Sequence, residues 1–164
     1  MHTHRSGLAY AKLSIETYVL NTSDRFGNHA PIFFDISTLA YFAAPLLGAT
    51  VVIATDAHIK MPASLSQLIE KEEITVWYSV PLAQVQMLQI GALEQRNWST
   101  LRWMLYAGEP FPVKHLRSLM KRLPHARFSN LYGQTETNVC TYYNIHKLPT
   151  DDNPIPIGKV WGNT

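Results

Sequence analysis

A single cysteine, Cys140, stands in 164 residues. One thiol cannot build an internal disulfide framework, and such scarcity fits a reducing, cytoplasmic setting. Charge is scarce too. Only 16% of the residues are Asp, Glu, Lys or Arg, and the formal net charge is +2. Lysine and arginine are scattered, so a nucleic-acid interface has no electrostatic footing. No apolar run approaches the roughly 18 residues of a membrane span. The start, Met1-His2-Thr3-His4-Arg5, is polar and no secretory apolar segment follows it. Neither common Gly-rich phosphate loop occurs, and there is no internal repeat. His2-x-His4 lacks further ligands beside it, which is too little for a metal site. These absences lead us to expect a soluble cytoplasmic protein with neither a nucleic-acid nor a membrane partner.

What is present alternates between strand and helix signals. Residues 6–21 have helical spacing of apolar side chains, and a run rich in turn formers (21–28) follows. Ile32-Phe33-Phe34 is expected as a short buried strand, with Asp35 or Ser37 capping a helix that runs to Leu47 and stops at Gly48. Further strands are expected at 50–54, 74–78, 101–106, 127–131 and 140–145. Helices are expected at 63–73, at 81–90 opened by Pro81, and at 113–123. Strands separated by helices of this length pair in parallel through right-handed crossovers. Near-continuous apolar strands imply helices on both faces of the sheet. The expected class is therefore α/β, with a mainly parallel sheet.

In such sheets ligands bind beyond the carboxyl ends of the strands. That rim should carry Asp35, Tyr78 with Ser79, Ala107-Gly108-Glu109, and Tyr132-Gly133 with Thr135-Glu136. Carboxylates, hydroxyls, small residues and aromatics together suit a polar ligand with a metal-bound phosphate. Each feature also has a plainer reading. Asp35 can be a helix N-cap, Gly108 can simply end a strand, and Thr135-Glu136-Thr137 can open a helix. Cys140 has no evident base beside it, so it reads as a buried structural residue rather than a nucleophile.

Taken together, the motifs resemble those of the adenylate-forming, AMP-binding superfamily. Asn130-Leu131-Tyr132-Gly133-Gln134-Thr135-Glu136 resembles the family's N-x-Y-G-P-T-E, with Gln134 where proline is usual. Phe34-Asp35-Ile36-Ser37 resembles the F-D-x-S of the amino-acid-activating branch. Tyr106-Ala107-Gly108-Glu109-Pro110 resembles the stretch that faces adenine. Pro156-Ile157-Gly158-Lys159-Val160 resembles P-I-G-x-P with valine at its end, and residues 1–6 resemble the tail of the phosphate-binding motif.

The resemblance implies the central part of the large N-terminal domain of that fold. Residues 1–164 would be a partial AMP-binding domain, inactive alone. The phosphate loop would lie before residue 1, and the C-terminal subdomain with its lysine would follow residue 164. It implies activation of an amino acid with ATP and Mg²⁺, then transfer to the phosphopantetheine thiol of a carrier protein. Thr135 would touch the α-phosphate and Glu136 would hold Mg²⁺. Tyr132 would stack on adenine, Asn130 would contact its amino group, and Gly108, Glu109, Pro110 and Gly133 would complete the nucleotide site. Asp35 would pair with the substrate ammonium.

The branch's specificity positions fall on Asp35, Ile36, Leu39, Tyr78, Leu105, Ala107, Leu131, Val139 and Cys140. The set is similar to that of free-standing enzymes that activate L-proline for a prolyl carrier protein, on the way to pyrrole antibiotics or anatoxin-type alkaloids. Ile36 departs from an expected leucine but conserves volume. Two alternatives stand beside this reading. In an acyl-CoA ligase, Asp35 would meet no ammonium. A non-catalytic α/β binding module would lack the phosphate loop and terminal lysine altogether.

Overall fold

The computed structural model describes residues 2–162. Met1, the first residue of the segment compared with a phosphate-binding motif, lies outside them. The elements are α1 (His4–Tyr18), β1 (Arg25–Asn28), a 3₁₀ turn (Asp35–Ser37), a π-helical turn (Leu39–Ala43), α2 (Ala44–Leu47), β2 (Thr50–Ile53), α3 (Asp56–Ile59), α4 (Pro62–Lys71), β3 (Val76–Ser79), α5 (Pro81–Ile90), a second 3₁₀ turn (Leu93–Gln95), β4 (Trp103–Tyr106), α6 (Val113–Arg122), β5 (Arg127–Tyr132), β6 (Thr141–Ile145) and β7 (Lys159–Val160). Among the described residues the strands form one sheet of order β2-β1-β3-β4-β5-β6-β7. The first five strands pair in parallel and the last two antiparallel.

Side chains of a strand alternate between faces. Trp77, Met104 and Tyr106 enter one core with Leu68, Met87, Leu116 and Leu119 of α4, α5 and α6. Val76, Tyr78, Trp103 and Leu105 enter the other with Tyr10, Ala11 and Tyr18 of α1. Helices thus cover both faces of a mainly parallel α/β sheet, as expected.

Two expectations at the amino-terminal end fail. Ile32-Phe33-Phe34 forms no strand, and all three side chains are exposed. The strand is instead Arg25–Asn28, inside the run rich in turn formers. It lies between β2 and β3 and bonds to both. Tertiary pairing overrides weak strand propensity there. A Cβ on Gly27 would come 2.4 Å from the Trp77 ring, so a bare backbone is what admits that indole. Nor does Asp35 or Ser37 cap a continuous helix. The 3₁₀ turn has Phe34 at its N-cap position without a side-chain bond, and Ser37 Oγ donates to the carbonyls of Phe34 and Ile32. Residues 35–47 run through 3₁₀, π and α turns in succession. Pro45 has no N–H to donate back to Tyr41, which interrupts a regular ladder.

The opposite end of the sheet is tied by Asp24, which is 1% exposed. Its carboxylate accepts from Arg102 Nη1 at 2.6 Å, Thr75 Oγ1 at 2.6 Å and the Asn21 amide at 2.8 Å. Asp24→Ala leaves three donors unmatched and should destabilise the full-length protein by about 2–4 kcal/mol. Denaturant midpoints of wild type and variant measure this, and a loss below about 1 kcal/mol would show the cluster to be a surface ion pair in effect.

Candidate active site

The parallel strands deliver their carboxyl ends to one rim. Tyr78 and Ser79 end β3, Ala107-Gly108-Glu109 follow β4, and Tyr132 ends β5 and opens the turn 133–138. A Cβ on Gly133 would lie 1.6 Å from the Asn138 carbonyl oxygen, so only glycine lets the turn close on itself. Asn138 takes a left-handed conformation at φ 60° to complete it. Thr135-Glu136-Thr137 therefore forms a turn and not the start of a helix. Gln134 ties the turn internally. Its Nε2 donates to Tyr132 Oη at 3.2 Å and its Oε1 accepts from Thr137 Oγ1 at 3.3 Å, while its main-chain carbonyl accepts from the Thr137 amide at 2.9 Å. The side chain standing where proline is usual thus supplies bonds where a ring would supply stiffness.

The turn meets the 3₁₀ segment. Thr135 Oγ1 donates to Asp35 Oδ2 at 2.9 Å across a sequence separation of 100. His2 Nε2 donates to the Thr135 carbonyl at 2.8 Å, which fixes the proton on that nitrogen because a carbonyl only accepts. Asp35 is half-buried, while Thr135 and Glu136 are exposed.

Below Asp35 lies an apolar face. Leu39, Tyr78, Leu105, Ala107, Leu131 and Val139 are buried in one cluster, and Ile36 packs against it. The fold brings these seven together from five stretches of chain. Burial above all, with neighbouring phenols and the Asp35 carboxylate adding to it, pushes the Tyr78 phenol well above its ordinary range, so it stays a neutral donor. A cavity of about 10 Å³ lies against Ile36, Leu39 and Tyr78. That is room for one water, and its other walls are Phe26, Gly27, Asn28, Ala40 and Val76, while Leu105, Ala107, Leu131 and Val139 pack in the core beside it. Cys140 is half-buried rather than buried, and its thiol donates to Thr137 Oγ1 at 3.0 Å. Through that bond it faces the turn.

At the end of β4, Gly108, Glu109 and Pro110 are exposed. Glu109 Oε1 accepts from the Leu82 amide at 3.0 Å, so its carboxylate serves the start of α5. Asn130 Nδ2 donates to the Pro156 carbonyl at 2.9 Å. This leaves Asn130 Oδ1 as the atom able to accept from an amino group. Tyr132 presents a ring that is 43% exposed. Among the described residues no three His, Cys, Asp or Glu side chains converge as a metal cage. A single exposed carboxylate, Glu136, is the kind of protein donor that Mg²⁺ uses when phosphates complete its shell. A wider groove of about 780 Å³ lies at the other strand ends, by Trp103 and Arg127, and contains none of these residues.

The model of the AMP-binding enzyme family matches residues 1–164. The chain belongs to that family. Two curated relatives are similar over most of it. An L-proline–[L-prolyl-carrier protein] ligase of Pseudomonas fluorescens is 42% identical over 157 residues, covering 95% of this chain and 32% of that protein. One of Streptomyces coelicolor is 44% identical over 139 residues, covering 82% and 26%. The chain thus spans about a third of these relatives' length or less. Among solved structures, the adenylation domain AlmE of Vibrio cholerae, in complex with glycyl-adenosine-5′-phosphate, superposes with a TM-score of 0.84 at 25% identity, covering 96% of this chain and 29% of that one. The nonribosomal peptide synthetase FmoA3 gives 0.88 at 25%, covering 98% and 18%. Residues 2–162 thus share the fold of part of these adenylation enzymes. Thr38 and Asn138 join the site without any sequence signal that singles them out, since their contact forms only when distant segments meet; His2, which lies in the segment compared with a phosphate-binding motif, meets the Thr135 carbonyl.

Proposed function

We propose that these residues belong to an ATP-dependent ligase that activates L-proline and loads it onto a carrier protein. The observation that carries this reading is the Asp35 carboxylate bonded to Thr135 of the neighbouring turn, close to the buried cluster that includes Tyr78. Its support includes the relatives named above, whose names give L-proline and a prolyl-carrier protein.

Proline's secondary ammonium has two N–H donors. Asp35 accepts from it and supplies the counter-charge that a half-buried cation requires. The ring meets Leu39, Leu105, Ala107, Leu131 and Val139 once the side chains over them shift to widen the one-water space, with Ile36 and Tyr78 closing it against longer side chains. Held there, the substrate carboxylate is positioned for in-line attack on the α-phosphorus of ATP. One oxygen–phosphorus bond forms, the bond to pyrophosphate breaks, and prolyl-adenylate remains. Thr135 donates to the α-phosphate, and Tyr132 stacks on the adenine. Asn130 Oδ1 accepts from the adenine amino group, with Gly108, Glu109, Pro110 and Gly133 along the nucleotide. Glu136 would hold Mg²⁺, which would supply charge neutralisation on the phosphates. The phosphopantetheine thiol of the carrier then takes the prolyl group as a thioester and AMP leaves. Residues 1–164 act as part of a larger AMP-binding domain, with phosphate loop and C-terminal subdomain outside them. We place the enzyme in the cytoplasm, its product feeding secondary-metabolite or toxin biosynthesis. Among the described residues no helix is long and apolar enough to cross a membrane.

Amino-acid-dependent pyrophosphate exchange by the full-length protein tests the substrate. Proline should lead. Pipecolate, one methylene larger, should follow at roughly 10–200-fold lower kcat/KM. Asp35→Ala should lose roughly 100-fold or more, because it strands a buried ammonium. An aromatic or charged amino acid ahead of proline would overturn the substrate, and a deaminated acid turned over equally well would favour an acyl-CoA ligase.

Glu136→Gln should lower kcat by roughly 100-fold while changing proline binding little, since phosphate charge shifts most at the transition state. Proline titration without ATP provides the control. An equal loss there would make Glu136 a structural residue.

A further inference from the structure

Two side-chain bonds, not one, join the segment 35–38 to the turn 135–138. Beside the Thr135–Asp35 bond, Asn138 Nδ2 donates to Thr38 Oγ1 at 3.0 Å, again across a separation of 100. The Thr38 hydroxyl spends its single proton on the Asp35 carbonyl at 2.5 Å. That hydroxyl therefore has a fixed direction: it accepts from Asn138 and donates to the backbone of Asp35. Asn138 is half-buried and its backbone is set by the closure on Gly133, so its amide is aimed rather than free to wander. None of this is needed to hold the sheet together, because β5 and β6 already pair across the turn.

We propose that Asn138 and Thr38 form a clasp that couples the amino-acid subsite to the nucleotide subsite. The inference rests on the assignment of Asp35 to the substrate ammonium and of Thr135 to the α-phosphate. With both substrates bound, Asp35 turns to the ammonium and Thr135 to the phosphate, so their mutual bond is given up. The Asn138–Thr38–Asp35 chain uses neither ligand-facing group and persists. It is then the remaining side-chain link between the two segments named here, and it holds them beside each other while their ligand-facing groups turn to the substrates. Ordering either segment with its ligand pre-orders the other. Coupling of this kind is reciprocal, and coupled sites typically shift each other's affinity by about fivefold or more. Asn138 and Thr38 touch neither substrate and act as positioning residues.

The test is the affinity of the full-length protein for L-proline with and without a non-hydrolysable ATP analogue and Mg²⁺. Wild type should bind proline about fivefold or more tightly in the presence of the analogue. In Thr38→Val, which keeps the shape and removes the hydroxyl, that ratio should fall toward one. Asn138→Gly, which keeps the left-handed backbone and removes the amide, should do the same. Thr38→Ser retains the hydroxyl and should restore the wild-type ratio. Melting temperatures of all four proteins report the folded state separately, and a merely structural role would move them without moving the ratio. A wild-type ratio of one, or an unchanged ratio in both Thr38→Val and Asn138→Gly, overturns the clasp while leaving proline activation standing. Failure of wild type to bind proline at all, with or without the analogue, overturns the assignment of Asp35 and the clasp with it.

Discussion

The bond from the Thr135 hydroxyl to the Asp35 carboxylate is the contact on which the site depends. It joins two segments that are remote in sequence and sit over neighbouring parts of one sheet edge. Asp35 belongs to a broken helix that enters the apolar layer shared with α1. Thr135 belongs to a turn suspended between β5 and the antiparallel β6. Where they meet, a carboxylate suited to a cation stands one hydrogen bond from a hydroxyl suited to an anion. An amino acid being joined to a phosphate presents that pair of charges, ammonium on one side and phosphoryl oxygen on the other.

The geometry around this contact follows from economical local choices. Gly133 has no side chain because the Asn138 carbonyl occupies the place a Cβ would need. Asn138 tolerates the left-handed backbone that results. At the far end of the sheet, the buried Asp24 cluster ties together the segments that lead into β1, β3 and β4 with charge, hydroxyl and amide. The chemistry is thus gathered at the carboxyl ends of the strands and the structural ion pair at the other, the division expected of an open parallel sheet.

Much of the fold was legible in the sequence because its strands announce themselves. Val76–Ser79 and Trp103–Tyr106 are apolar, fully buried, and followed by Pro81 or glycine. The motif residues could be read for the same reason, being tied to strand ends. The failures were local segments whose state is decided elsewhere. Arg25–Asn28 reads as a loop, yet becomes an interior strand, next to the edge strand β2, because both neighbours pair with it and Trp77 covers Gly27. Ile32, Phe33 and Phe34 read as a strand, yet lie exposed on the path from β1 to Asp35. Asp35 itself was open to a capping role, and only the contact with Thr135 distinguishes its side chain from a cap. Thr38 and Asn138 were invisible, since a hydroxyl and an amide separated by 100 positions carry no joint pattern.

The central claim is that Asp35 and Thr135 straddle the bond between amino acid and phosphate. A crystal structure of the full-length protein with a non-hydrolysable prolyl-adenylate analogue tests it most directly. The account predicts the Asp35 carboxylate within hydrogen-bonding distance of the ring nitrogen, and the Thr135 hydroxyl turned from Asp35 to the phosphate mimic. An analogue whose nitrogen lies away from Asp35, with the Thr135–Asp35 bond still intact, would contradict it.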